Sequence, residues 1–179
     1  FQDSLTDLGV TFPVTPCNSA DHPTGTCLVL VTPDAERTMH TLLGASVNTA
    51  TIDLDADLLN ATGILYCEGY VWDSPTARAA FLEAAARVKS GGGRISFSLS
   101  DTFCVERHKP DFLNLFARDI DILLANFAEA QALLDATDMA DIIAAMQSAR
   151  VDGAITCGAE GAVIVRGDEA VRVDAHAVE

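Results

Sequence analysis

Apolar and polar positions along this chain alternate between two periods. Ile64-Leu-Tyr66 is a short continuous apolar run, and Arg94-Ile-Ser-Phe-Ser-Leu99 alternates with a period of two, so both read as strands. Ile120–Leu124, Gly153–Thr156, Ala162–Val165 and Ala170–Asp174 read the same way. Between them the period changes. Over Pro75–Lys89 the apolar residues Ala77, Phe81, Ala84, Ala85 and Val88 fall on one helical face, and Ser90-Gly-Gly-Gly93 ends the run. Further helices are expected over Asp111–Phe116, Phe127–Leu134 and Met139–Gln147, and another over Phe1–Leu8, closed by Gly9. Strands alternating with helices predict an α/β fold with a parallel sheet and helices on both faces. Leu28–Thr32, the turn Pro33-Asp34 and Arg37–Leu43 predict a β-hairpin outside that sheet, a flap of the kind that covers a ligand.

The chain has 179 residues, the length of one domain, with 49% hydrophobic and 21% charged residues. No apolar run approaches the roughly 18 residues of a membrane span. The five cysteines (Cys17, Cys27, Cys67, Cys104 and Cys157) are odd in number and lack CxxC spacing. They read as reduced thiols of a cytoplasmic protein. His22, His40, His108 and His176 form no zinc pattern. A formal charge of −15 repels nucleic acid and anionic membranes, so neither is an expected partner. Phosphate can still bind locally, at a helix N-terminus. Both ends look abrupt, and a piece of a longer protein is expected.

Candidate chemistry gathers where strands end. In Asp121-Ile-Leu-Leu-Ala-Asn126-Phe-Ala-Glu129 a strand runs into a helix, with Asn126 and Glu129 at the spacing of a capping box. The plain role is a helix cap. The same turn sits where phosphates and their metals bind an α/β sheet, and Glu129 could hold the waters of a Mg²⁺ ion. Thr156-Cys-Gly158-Ala-Glu-Gly161 also follows a strand. Its Thr hydroxyl and glycines could admit a phosphate, or simply form a hairpin turn. Phe103, after the strand ending at Leu99, could stack on a base or pack in the core. Trp72 and Asp73 could line the same edge, or pack the loop and cap the helix before Pro75. On the flap, Arg37 could grip a phosphate, and Met39, Thr41 and Leu43 share one face. No Ser/His/Asp order and no convincing carboxylate pair for glycoside chemistry is present.

Five segments in order carry a family resemblance: Thr24-Gly-Thr-Cys27, Ile64-Leu-Tyr-Cys-Glu-Gly-Tyr70, Ser98-Leu-Ser-Asp-Thr-Phe103, Asp121–Ala130 and Thr156-Cys-Gly158. Together they resemble the ribokinase-like (PfkB) carbohydrate and nucleoside kinases, over nearly the whole chain. Thr-Gly-Thr-Cys and Leu-Ser-x-x-Phe look most like the adenosine kinases of that family. The resemblance implies a ribokinase-like α/β domain, partial over 1–179, with lid strands at about 26–43. It implies transfer of the ATP γ-phosphoryl group to a nucleoside or sugar hydroxyl, with ATP and Mg²⁺ as cofactors. The flap could cover the site of its own chain or pack against a second subunit, as a homodimer through the lid. Cys27, Met39, Thr41 and Phe103 would contact the substrate, and Arg37 the transferring phosphate. Asn126, Glu129, Thr156, Gly158 and Gly161 would serve the nucleotide, with Glu129 on the metal through water. The family's Asp-Thr-x-Gly-Ala-Gly-Asp, with its anion hole and catalytic Asp, is not in this sequence and is expected beyond Glu179. Its early Gly-Gly and sugar-gripping Asp are expected before Phe1. Little activity is expected of these residues alone. The alternatives are a kinase of a plain sugar such as ribose or fructose, and a non-catalytic nucleotide- or sugar-binding module. The coding sequence beyond Glu179 separates enzyme from module.

Overall fold

The computed structural model describes residues 2–12 and 23–176. Phe1, Cys17, His22 and Glu179 lie outside them. Six strands form one sheet in sequence order: β3 (Ile64–Glu68), β4 (Arg94–Ser98), β5 (Ile122–Asn126), β6 (Asp152–Thr156), β7 (Ala162–Arg166) and β8 (Glu169–Val173). β3 to β6 pair in parallel, and β7 and β8 are added as antiparallel strands. Parallel neighbours need crossovers. These are α3 (Pro75–Ser90), α4 (Thr102–Arg118), and α5 (Phe127–Leu134) followed by α6 (Met139–Ala149). Short helices α1 (Gln2–Asp7) and α2 (Ala56–Asn60) precede them. The α/β class expected from the sequence, with a mostly parallel sheet and a small separate hairpin, is the one observed, but the helices expected on both faces of the sheet lie on one among the described residues.

Local chemistry sets the ends of the helices. The Ser74 hydroxyl accepts from the Ala77 N–H, and Pro75 follows at the first helical position, where its missing N–H costs nothing. α3 then buries Ala77, Ala80, Phe81, Ala84, Ala85 and Val88. The helix expected at Asp111–Phe116 is longer. The Asp101 carboxylate accepts from the Cys104 N–H at 2.6 Å and starts α4 at Thr102. Pro110 bends this helix instead of stopping it. His108, with φ −118° and ψ 15°, leaves helical geometry, because the proline ring conflicts with the carbonyl four residues earlier.

The inward residues of successive strands, among them Cys67, Phe97, Leu123, Ile155 and Val163, join the buried faces of α3 to α6 in one core. Trp72 packs edge-on against Phe81, Phe97 and Phe112 at its centre. Because the parallel strands advance in one direction, right-handed crossovers gather their helices on one face. The opposite face presents Ile64, Tyr66, Ile164, Val171 and Val173, all exposed among the described residues.

The hairpin stands apart. β1 (Thr26–Val31) pairs with β2 (Arg37–Leu42) as a separate two-stranded sheet whose residues are all exposed. Its base is tied down: the Ala45 N–H donates to the Pro23 carbonyl at 2.8 Å, and the Ser74 hydroxyl donates to the Val47 carbonyl at 2.9 Å.

Candidate active site

The strand register brings the candidate residues to one edge. Glu68 pairs with Ser98, Ser98 with Leu124, and Asn126 with Thr156, so the carboxyl ends of β3 to β6 are level. Asn126 ends β5 and caps α5. Its side-chain oxygen accepts from the Glu129 N–H at 2.9 Å. Glu129 answers with both oxygens, one accepting from the Asn126 backbone N–H at 2.9 Å and the other from the Asn126 amide at 2.7 Å. The spacing read from the sequence is therefore a closed capping box, and Glu129 is only 7% exposed.

A cavity of about 440 Å³ opens beside it, lined by Asn126, Met139, Thr156, Gly158, Glu160 and Arg172 among others. Three of the residues expected at the nucleotide thus share one cavity, and Glu129 sits behind Asn126. Arg172 was not foreseen. It is the one cation in the run Ala170–Asp174, and it crosses from β8 to pair with Glu160 at 2.6 Å. Gly161 answers a backbone need. Its φ is +91°, and a Cβ there would come 2.0 Å from the Val173 carbonyl oxygen.

The donor set fits a metal held through water. Each Glu129 oxygen already accepts one hydrogen bond, which leaves lone pairs for water. Among the described residues no group of three or more His, Cys, Asp or Glu gathers into a metal cage. A hydrated Mg²⁺ needs no such cage, because it keeps several of its own waters.

Cys27, Met39 and Thr41 lie on one face of the hairpin together with Arg37, as the pairs Cys27–Thr41 and Val29–Met39 require. The Thr41 hydroxyl donates to the Cys27 sulfur at 3.2 Å. Phe103 is in the first turn of α4 rather than in a loop, and is 71% exposed. A core role for it is thereby removed.

Trp72 does not line the site. It is 4% exposed, and its ring N–H donates to Asp111 at 3.1 Å. Asp73 does not cap α3, a role taken by Ser74. It instead joins Arg107 at 2.9 Å and His108 at 2.8 Å on α4. Burial pushes the Asp73 carboxyl up, but the hydrogen bonds from His108 and Arg107 outweigh it and hold the group below the usual carboxylate value. Burial drives two thiols the other way, Cys67 to about 12 and Cys104 to about 11. Neither is a ready nucleophile. A second cavity of about 730 Å³, mostly apolar, lies between the base of the hairpin and α3, with Leu43, Val47, Cys67, Tyr70 and Phe81 in its wall.

No helix among the described residues is long and apolar enough to cross a membrane. Among solved structures, the chain is similar to an adenosine kinase from Sinorhizobium meliloti, with 37% identity and a TM-score of 0.91. The match covers 100% of this chain and 55% of that one. It is also similar to a "probable sugar kinase protein" from Rhizobium etli CFN 42, with 34% identity, a TM-score of 0.90, and 99% and 54% of the two chains covered. A putative ribokinase II from E. coli, solved in complex with ATP and Mg²⁺, shares the fold at 20% identity and a TM-score of 0.78, over 88% of this chain and 52% of that one. The chain therefore spans about half the length of the proteins it resembles. A comparison with curated proteins found no match. The family description "pfkB family carbohydrate kinase" matches residues 2–179. With the fold, the level strand edge and the 37% identity behind that match, the chain belongs to the PfkB family of carbohydrate kinases.

Proposed function

We propose that the complete protein transfers the γ-phosphoryl group of ATP to a nucleoside hydroxyl, the ribose 5′-OH of adenosine or a close relative. The observation that carries this reading is the cavity at the ends of β5 and β6, where Asn126, Thr156 and Gly158 meet beside a buried Glu129. The likeness to the S. meliloti adenosine kinase supports the choice of substrate. In this reading the Asn126 amide and the Thr156 hydroxyl orient phosphate oxygens, and the Gly158 and Gly161 turn lets the backbone come close. Glu129 would hold water around a Mg²⁺ ion, which would neutralise charge on the phosphates. The hairpin closes over the substrate, with Cys27, Met39 and Thr41 on its inner face and Arg37 near the transferring phosphate. The 5′-oxygen forms a bond to the γ-phosphorus, and the bond from that phosphorus to the β–γ bridging oxygen breaks. The hydroxyl proton passes to the family's catalytic Asp, a residue outside this sequence. The enzyme works in the cytoplasm, and its hairpin is also the surface through which two copies would pair.

A plain sugar substrate is the second reading, favoured by the 34% identity to the R. etli protein. Phe103 separates the two. Assayed with ATP and Mg²⁺, the complete gene product is expected to phosphorylate adenosine in preference to ribose or fructose. Phe103→Ala should weaken nucleoside binding by about 1–3 kcal/mol, the worth of one base–aromatic stack. Unchanged nucleoside affinity in that variant points to a plain sugar. Binding of nucleotide with no transfer to any acceptor points to a non-catalytic module.

A further inference from the structure

We propose that Tyr70 is a positioning residue: through Asp101 and Ser100 it fixes the first turn of α4, and with it the direction of Phe103. The proposal rests on the reading that Phe103 stacks on the base of a nucleoside.

Tyr70 lies in the short helical turn Gly69–Asp73 that follows β3. Its hydroxyl donates to one oxygen of the Asp101 carboxylate at 2.7 Å. The other oxygen of that carboxylate accepts from the Cys104 N–H at 2.6 Å. One carboxylate thus joins the turn after β3 to the first turn of α4. A second link runs along the backbone: the Tyr70 N–H donates to the Ser100 hydroxyl at 3.3 Å. Ser100 holds φ at +73°, a left-handed conformation that a side chain adopts only when its surroundings enforce it. This residue reverses the chain between β4 and α4. Gly69 makes the arrangement possible. A Cβ there would lie 2.8 Å from the Leu99 carbonyl oxygen, so a larger residue would push the turn away from Ser100.

Phe103 needs such a device. It is 71% exposed, so few neighbours hold its ring, and the backbone of the first turn sets where it points. Tyr70 suits the task chemically. Burial raises its phenol above the ordinary value, and the bond to Asp101 raises it further, so the hydroxyl stays protonated and keeps donating.

The test removes only the hydroxyl, as Tyr70→Phe in the complete gene product. The proposal expects the KM for adenosine to rise about 3–10-fold, the worth of one hydrogen bond, with the KM for ATP within about twofold. In a Phe103→Ala background the same substitution should change the adenosine KM by less than about twofold, because its route of action is gone. Equal effects in both backgrounds, or no effect in the parent, overturn it. A readout without substrate separates this proposal from the functional reading. With para-fluorophenylalanine at position 103, the fluorine resonance should shift or broaden in Tyr70→Phe and stay unchanged in the control Arg87→Lys on α3. An unmoved resonance refutes the positioning role whatever the enzyme phosphorylates. A moved resonance in a protein that phosphorylates no nucleoside upholds the positioning role and refutes the nucleoside reading.

Discussion

The two parts of the proposed site are built in opposite ways. At the ends of β5 and β6 everything is held. Asn126 and Glu129 exchange three hydrogen bonds, the Glu129 carboxylate is buried, and the strands beneath are pinned by a core that includes Leu123 and Ile155. In the hairpin almost nothing is held. Cys27, Arg37, Met39 and Thr41 share a face, yet every residue of both strands is exposed. A two-stranded hairpin is marginal in water without a partner surface. In the proposed reading the phosphate end is therefore organised before any ligand arrives. The substrate end is left to be organised by what it covers. Phosphoryl transfer suits this division, because its catalysis is mostly positioning and electrostatics at the phosphate, while a lid must open.

The largest expected effect tests that contrast directly. Phe97 is fully buried and meets Trp72, Phe81 and Phe112 with ring centroids 5.2–6.0 Å away. Phe97→Ala should cost about 3–5 kcal/mol of stability. Val29→Ala on the hairpin should cost no more than about 0.5 kcal/mol, the usual range for a surface change. Urea unfolding followed by far-UV circular dichroism gives both numbers. A hairpin variant that destabilised as much as the core variant would show that the lid is packed, and the contrast would collapse.

The sequence made the rigid half legible and much of the rest obscure, for physical reasons. Asn-x-x-Glu after an apolar run is a local signal, since both partners lie within one turn, and it led directly to the observed cap. The parallel strands were legible from their periods. The first half of α4 was not, because Pro110 suggests a boundary, whereas the informative residue was Asp101, a capping side chain three positions before the Cys104 N–H. The hairpin turn from β6 into β7 was legible in the glycines of Thr156–Gly161, whereas the pairing of β8 onto β7 depends on neighbours, not on composition. Trp72 stays ambiguous in the sequence for a related reason. A loop Trp beside Asp73 resembles a site residue until the aromatic cluster around it is known. Arg172 was missed because its importance lies in a partner, Glu160, twelve positions away in the chain.

The next effect sharpens the comparison within the rigid half, by separating the cap from the proposed metal role. Glutamine at the third helical position still completes a capping box. Glu129→Gln should therefore keep α5 and the bond from the Asn126 backbone N–H but lose the one from the Asn126 amide, at a cost of about 1 kcal/mol, while removing the negative charge that would hold the metal's water. Turnover of the complete protein is expected to fall on the order of 10–100-fold, the usual cost of losing an outer-shell metal partner. A higher Mg²⁺ requirement should accompany that loss, and the KM for nucleoside should change little. Normal turnover at ordinary Mg²⁺ would leave Asn126 and Glu129 as a helix cap and nothing more.

The smallest effect concerns the joint between the two halves. The turn Gly69–Asp73 leads into Ser74, which holds the base of the hairpin through Val47, while Asp73 grips α4 through Arg107 and His108. The Asp73 carboxyl is held below its ordinary value of 3.8, so the folded state favours its charged form. Its contribution to stability is fully present above that unfolded value and is lost as the pH falls through the lower folded value. All three side chains are partly exposed, so water and salt screen the pair, and about 1 kcal/mol or less is expected. Asp73→Asn should therefore be slightly less stable than the parent at neutral pH, and the two should converge as the pH falls through the lowered folded value, below 3.8. Urea unfolding of both proteins across that range, at low and high salt, measures the difference. A gap that persisted unchanged at low pH would mean that Asp73 acts through packing or neutral hydrogen bonds. The ionic joint between the hairpin base and α4 would then be excluded.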